Sequence, residues 1–393
     1  MVRSPRHSPL IAPLLAALCG VAVAAFAHAA EAPIPDPVPP LVERLGLGPR
    51  EFPDELPAER HEAYFYKGLD YGSEALVHPV RLVIDGGFGI LQFDDHENRL
   101  GKVRFANGAR RVFADLSRPG VAIGVAGWED FVRRELLPVS TTKAGAQYWP
   151  NYTLHLVGGG MSHRMMREWF EAHGAEHPAR MASLTLGTYH LLNEIVEAEG
   201  RTAPSTDAIA DVFVFDPAGV ALFAHPRVAR FFGRTLQMRD WSSQPAIDPA
   251  TGAIENQGQN FAIKVPLPGT ERWRALYYFG NHGEVGVSYT RPNGSSFSVG
   301  GGLRAKSLVE IGQGSQTADL VPSFGFFYDR DGSLMLSVTA ANTSRYRYRV
   351  NAYPSLVKVG RWTAGLFVLA GRDGDTLVGL HAVPSPIGVA LRH

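Results

Sequence analysis

The sequence predicts a mainly β protein with a helical insert, its C-terminal strands forming an antiparallel barrel that closes on itself. Three observations predict this. Residues 255–393 alternate apolar with small or polar side chains, as in Val285, Val287 and Tyr289 against Gly286, Ser288 and Thr290. Tight-turn signals recur between the runs: Pro292-Asn293-Gly294, Arg330-Asp331-Gly332 and Arg372-Asp373-Gly374. Between residues 127 and 235 the apolar spacing changes to that of helices.

The elements follow in chain order. Arg3, Arg6 and His7 precede an apolar run from Leu10 to Phe26 and the small-x-small site Ala27-His28-Ala29. A positive start, an apolar centre and such a site make residues 1–29 a signal peptide. Residues 30–62 form a lead-in rich in proline (Pro33, Pro35, Pro37, Pro39, Pro40). Residues 63–126 read as an N-terminal β segment, with strands at Val80–Ile84, Gly89–Phe93, Lys102–Phe105 and Arg111–Phe113. Helices are expected at Trp128–Leu137, Thr153–Ala172, Pro178–Glu199 and Ala208–Val214. After the polar stretch Asp240–Gln259, strands resume at Phe261–Val265, Trp273–Phe279, Val285–Thr290, Ser296–Arg304 and Val321–Tyr328. They continue at Leu334–Ala340, Tyr346–Tyr353, Trp362–Ala370, Leu377–Val383 and Ile387–Leu391.

Composition narrows the function classes. Lys plus Arg and Asp plus Glu both total 38, so no basic surface invites nucleic acid. The single cysteine, Cys19, falls in the signal peptide, so the mature chain has no disulfide. Past the signal peptide no stretch approaches the ~20 apolar residues of a spanning helix. An exported chain of this kind enters a membrane as a β-barrel, apolar toward lipid and polar toward its lumen. Arg345, Arg347 and Arg349 form a ladder against Tyr346, Tyr348 and Val350, which suits a wet lumen and a small polar or anionic solute. Aromatics gather near strand ends (Trp273, Tyr289, Tyr328, Trp362), as an interfacial girdle requires.

The middle segment holds a second candidate site. His190, Glu194 and Glu197 fall at i, i+4 and i+7, on one helix face. Asp207 and Asp211 follow at i, i+4, then Asp216-Pro217-Ala218-Gly219. Upstream, His155 precedes Gly158-Gly159-Gly160, with Arg164 and Glu168 at helical spacing. Imidazoles and carboxylates on a shared face can bind ligands or move protons. The spacing is not that of His-Glu-x-x-His, so no metal and no cofactor is assigned from sequence. A structural role, with Glu194 and Glu197 buried against His155, Arg164 or His190, is the competing account.

Asn151-x-x-x-His155, the glycine cluster, Arg164, Asn193-Glu194-x-x-Glu197, Pro204-Ser205-x-Asp207, Gly219 and Arg230 come in this order. Over residues 150–235 that order resembles a bacterial domain of unknown function found in predicted cell-envelope proteins. The resemblance implies an envelope location and no known activity. Together these readings predict a monomeric outer-membrane protein of a Gram-negative-type cell, structural or passing a small solute, with outer-membrane lipid as its partner. The alternatives are an envelope lipid- or glycan-directed hydrolase using the helix-borne His, Glu and Asp, and a soluble periplasmic binding protein.

Overall fold

The computed structural model describes residues 62–137, 149–201, 204–310, 316–359, 362–371 and 375–392. The expected signal peptide, nearly all of the proline-rich lead-in and the expected turn at Arg372-Asp373-Gly374 lie outside them. Residues Tyr64–His393 form one compact unit in which helices and sheet share a core.

Residues 63–126 are helical, which corrects the β segment expected there. The main helices are α1 (Pro79–Gly87), α2 (Phe105–Ser117) and α3 (Pro119–Ala126). Val80, Val83 and Ile84 favour strands by intrinsic preference. Local geometry overrides them. Pro79 occupies the first helical turn, and the His78 ring accepts the Val80 N–H at 3.1 Å. Asn107-Gly108 reads as a turn but lies within α2, where it crosses the helix Pro178–Glu197. A Cβ at Gly108 would sit 1.8 Å from the Ile195 carbonyl, so glycine permits the crossing. The predicted strand at Gly89–Phe93 is instead a short 3₁₀ turn, Gly89–Gln92.

The expected helices of the middle segment are present. A π-helical stretch, Trp149–Gly159, leads into α4 (Gly160–Ala172), and α5 spans Pro178–Glu197. The chain then forms Asp207–Ala210, a π stretch Asp211–Phe215, α6 (Asp216–Ala224) and α7 (Pro226–Arg230). Proline stands in the first turn of α5, α6 and α7. No single helix among the described residues is long and apolar enough to cross a membrane.

The β region is one 13-stranded sheet. The strands are β1 (Arg239–Asp240), β2 (Ala246–Asp248), β3 (Ala253–Glu255), β4 (Asn260–Pro266), β5 (Trp273–Gly280), β6 (His282–Thr290) and β7 (Ser295–Glu310). They continue as β8 (Gln316–Arg330), β9 (Ser333–Ala341), β10 (Tyr348–Val359), β11 (Trp362–Ala370), β12 (Thr376–Val383) and β13 (Gly388–Arg392). From β4 to β13 each strand pairs antiparallel with the next, in the sequence-predicted order. The β8–β9 turn has positive φ at Asp331 (56°) and Gly332 (84°), the conformation a two-residue hairpin needs.

The sheet does not close, which corrects the closed barrel. Its order ends at β1 on one side and at β3 on the other. The stretch read from sequence only as polar supplies both ends. Asp240 pairs with Phe261 of β4, while Ala246 pairs in parallel with Gly388 of β13. Between them Ser243 donates to Gly258 at 3.1 Å and Gly388 to Pro245 at 2.8 Å. One irregular segment therefore spans the gap that a first-to-last strand ladder would otherwise fill.

The outer row of the sheet is apolar, while its inner row mixes polar side chains with apolar clusters such as Trp241, Tyr278 and Phe327. Along β8, Ser323, Phe327 and Asp329 are buried while Phe324 is 54% exposed. Outer-row neighbours across strands are apolar: Leu366 of β11 opposes Leu380, and Leu380 opposes Val389. Leu380 is 56% exposed. Trp273 and Tyr289 pair at 5.1 Å between ring centres, Phe297 and Tyr328 at 5.0 Å. The inner face is filled instead. Lys264 pairs with Asp329, Ser298 donates to Ser288 at 2.8 Å, and Ser323 to Glu284 at 2.8 Å. Gly325 makes room for this filling, since a Cβ there would lie 2.4 Å from the Phe327 ring. The helices pack on the outside of β4 and β5, where Phe261 and Phe279 join Met161, Met165, Leu186 and Phe223.

Two buried histidines make part of this packing acid-sensitive. Burial pushes His163, in α4, and His381, in β12, each down to about 4. A base with a depressed folded value lends stability above its ordinary value of 6.5 and loses it as pH falls through about 4. Each contributes up to about 3 kcal/mol to that loss. Thermal unfolding of His163→Gln/His381→Gln should therefore show a smaller decline between pH 6.5 and 4 than the parent. Equal declines would mean the two rings are already protonated in the fold.

Candidate functional site

Two close backbone approaches assemble the site. A Cβ at Gly219 would lie 2.5 Å from the Leu156 carbonyl, and one at Gly160 would lie 2.6 Å from the Gly219 carbonyl. α6 can therefore seat directly on the stretch that carries His155. A Cβ at Gly159 would meet His190 Cε1 at 3.1 Å, so the glycine run also admits the α5 imidazole.

Asp216, at the start of α6, receives both rings. Its Oδ1 lies 3.0 Å from His155 Nδ1, and its Oδ2 contacts His190 Nδ1. The imidazole centroids are 4.6 Å apart. The other nitrogen of His155, Nε2, lies 3.3 Å from Asp211 Oδ2. Glu194 stands one turn beyond His190 on α5 and is buried in the same cluster. Glu197 and Asp207 lie behind it and share Arg201, which contacts Glu197 closely and Asp207 at 3.3 Å.

Burial and mutual repulsion set the charges. Burial, then Glu197, Asp207 and Asp211, raise Glu194 well above the carboxylate range. Asp211 is raised likewise by burial, then Asp207, Asp216 and Glu135. Burial works against ionisation of Asp216 too, yet the imidazoles of His190 and His155 outweigh it and hold that carboxyl low. Burial opposes protonation of both imidazoles. Asp216 reverses this at His155, which rises above 6.5, whereas His190 falls below it. The two neighbouring rings are thus shifted in opposite directions, a division that suits acid–base work.

His190 and Asp216 also line a largely apolar cleft of about 500 Å³, walled by Phe113, Leu116, Leu186, Leu191, Val212 and Val220. Phe113 is exposed at the cleft, and Leu184 and Phe213, beside it in sequence, are exposed as well.

Of the residues predicted from sequence, His155, His190, Glu194, Glu197, Asp207 and Asp211 come together here. Arg164 does not. It donates to Glu168 at 2.9 Å, and Glu168 in turn accepts the Phe65 and Tyr66 N–H groups at 2.8 and 2.9 Å, fastening the chain entry to α4. The Arg345–Arg349 ladder is also corrected, because β10 begins only at Tyr348. Arg345 donates to the carbonyls of Leu91 and His96 at 2.7 and 2.6 Å. Arg347 is exposed, and Tyr346, expected outside, is buried. Arg349 alone of the three turns into the sheet interior, where it donates to Gln92 at 3.1 Å. Sequence reading did not assign Asp216 or Arg201 to the site. An aspartate before proline at a helix start was the available signal for Asp216, but it marks an ordinary helix start equally well.

No protein-family model, curated protein or solved structure matches this chain.

Proposed function

We propose that the protein is an exported outer-membrane protein that binds an amphiphilic molecule of lipid class and performs acid–base chemistry on its head group. The observation that carries this is the cleft: its walls are largely apolar, and the His190–Asp216 pair is part of its lining. An acyl chain lying along Leu116, Leu186 and Val220 would bring its polar end to an imidazole that favours its neutral, proton-accepting form. The exposed apolar outer face of the sheet supports a location in lipid, because soluble monomers rarely leave such rows uncovered. Solute passage is less well supported. The sheet interior beside Asn260, Tyr278, Arg304 and Arg349 has a free volume of about 10 Å³, close to the space of one water.

Gly187 provides a gentle test. It lines the cleft, and a Cβ there would meet nothing within 4 Å. Gly187→Trp should fold as the parent does, since replacing a helical glycine carries no intrinsic penalty. It should lose at least tenfold of the lipid that co-purifies with the parent in detergent, read by mass spectrometry. It should lose hydrolysis of ester-linked lipids in the same proportion. Unchanged lipid retention in Gly187→Trp, or a parent that neither retains nor turns over lipid, would overturn the reading. Recovery of the parent in the soluble periplasmic fraction would overturn its location.

A further inference from the structure

We propose that Nε2 of His155 and the carboxylates of Glu194 and Asp211 bind one divalent metal ion, with Asp216 holding the imidazole from behind. The site shares Asp216 with the lipid reading but does not depend on it, and stands on the donor atoms alone. One atom from each of the three residues lies within 4.8 Å of the others, and all three side chains are buried. Donors sharing an ion at bonds of about 2.1 Å stand roughly 3–4 Å apart, so small side-chain movements complete the triad.

Orphaned oxygens mark the place. Glu194 is 1% exposed and Asp211 3% exposed, yet Glu194 Oε2 and Asp211 Oδ1 have no hydrogen-bond partner among the described residues. A buried acceptor left without a partner is costly, and a cation held by these two carboxylates, with Asp211 Oδ2 already 3.3 Å from His155 Nε2, offsets that cost. Arg201 is engaged by Glu197 and Asp207.

The alternative donor set of His155, His190 and Asp216 also lies within 4.8 Å. It fits less well, because both oxygens of Asp216 already receive an imidazole nitrogen. His155 Nδ1 directed to a carboxylate, with Nε2 left for the ion, is the arrangement that orients a metal-bound histidine and raises its basicity. One imidazole and two carboxylates suit Zn²⁺, Mn²⁺ or Fe²⁺ rather than soft thiolate-loving ions.

The test uses the full chain in detergent, stripped with chelator and titrated with Mn²⁺ or Zn²⁺ by calorimetry, with elemental analysis. The expected result is one equivalent per chain and a rise in unfolding temperature. Glu194→Gln and Asp211→Asn should each weaken binding at least tenfold. Asp216→Asn should weaken it about 10–100-fold without changing stoichiometry. Absence of stoichiometric metal overturns the proposal, as does unchanged affinity in Glu194→Gln and Asp211→Asn. Binding lost in His190→Gln but kept in Glu194→Gln assigns the other donor set and overturns it too. Where a variant fails to fold, the Co²⁺-loaded parent decides: paramagnetic NMR should show one coordinated imidazole, and two or none overturns the assignment. Metal binding with no lipid retention would leave this site standing and remove the lipid reading.

Discussion

Arg81→Met is expected to destabilise the protein by about 3–5 kcal/mol, the cost of breaking a buried ion pair on one side. Arg81 is 1% exposed. Its Nη1 donates to Asp85 at 2.8 Å within α1, and its Nη2 contacts Asp240 of β1. Asp240 in turn accepts the Ser242 N–H at 2.9 Å. The guanidinium thus ties the first long helix to the segment spanning the sheet's open side, and methionine would leave two buried carboxylates facing each other. Burial pushes Asp85 up to about 8 despite Arg81, with Asp240 adding to the rise. An acid with a raised folded value lends stability that is complete below its ordinary value and lost as pH rises through about 8. Asp85→Asn should therefore be far milder than Arg81→Met, and should gain on the parent as pH rises toward 8. Denaturant unfolding in detergent measures both. Equal losses in the two variants would show that helix packing, not charge balance, sets the cost.

Leu380→Arg is the second large expectation, a loss of about 2–4 kcal/mol near mid-bilayer and less toward the interface. Leu380 lies on the outer face between Leu366 and Val389, more than half exposed. In lipid a guanidinium there is poorly solvated, whereas on a water-facing surface the change would be nearly neutral or favourable. Reversible unfolding from vesicles reads the difference. Equal stability of variant and parent in vesicles would show that this row does not meet lipid, whatever the rest of the fold does.

Strand positions from β4 to β13 were legible because each carries its own alternation and a turn signal, as at Asp331-Gly332. The N-terminal helices were not. Pro79-Val80 and Asn107-Gly108 have the local look of strand and turn, and only the packing of α2 against α5 shows why a glycine is needed within a helix. The short strands β1–β3 were missed because two or three residues each cannot display a period. The arginine ladder failed for a related reason. Alternation at Arg345, Arg347 and Arg349 is real in sequence, but Asp94 accepts the Ser344 and Arg345 N–H groups at 2.6 and 3.1 Å, and the strand starts two residues later than expected.

The candidate centre divides in the same way. Spacing alone placed His190, Glu194 and Glu197 on one face, because helix geometry fixes neighbours at three, four and seven residues. That face meets His155, Asp211 and Asp216 through close backbone approaches at Gly159, Gly160 and Gly219, between segments tens of residues apart in sequence. By itself the sequence determined a C-terminal run of antiparallel strands and a middle set of helices bearing imidazoles and carboxylates, since both follow from periods carried by neighbouring residues. Only the tertiary structure decided that the sheet stays open and that Arg349 turns inward without its companions. It also decided that Asp216 joins two histidines beside an apolar cleft. Those outcomes depend on contacts between distant segments, where steric fit and burial act and no local period records them.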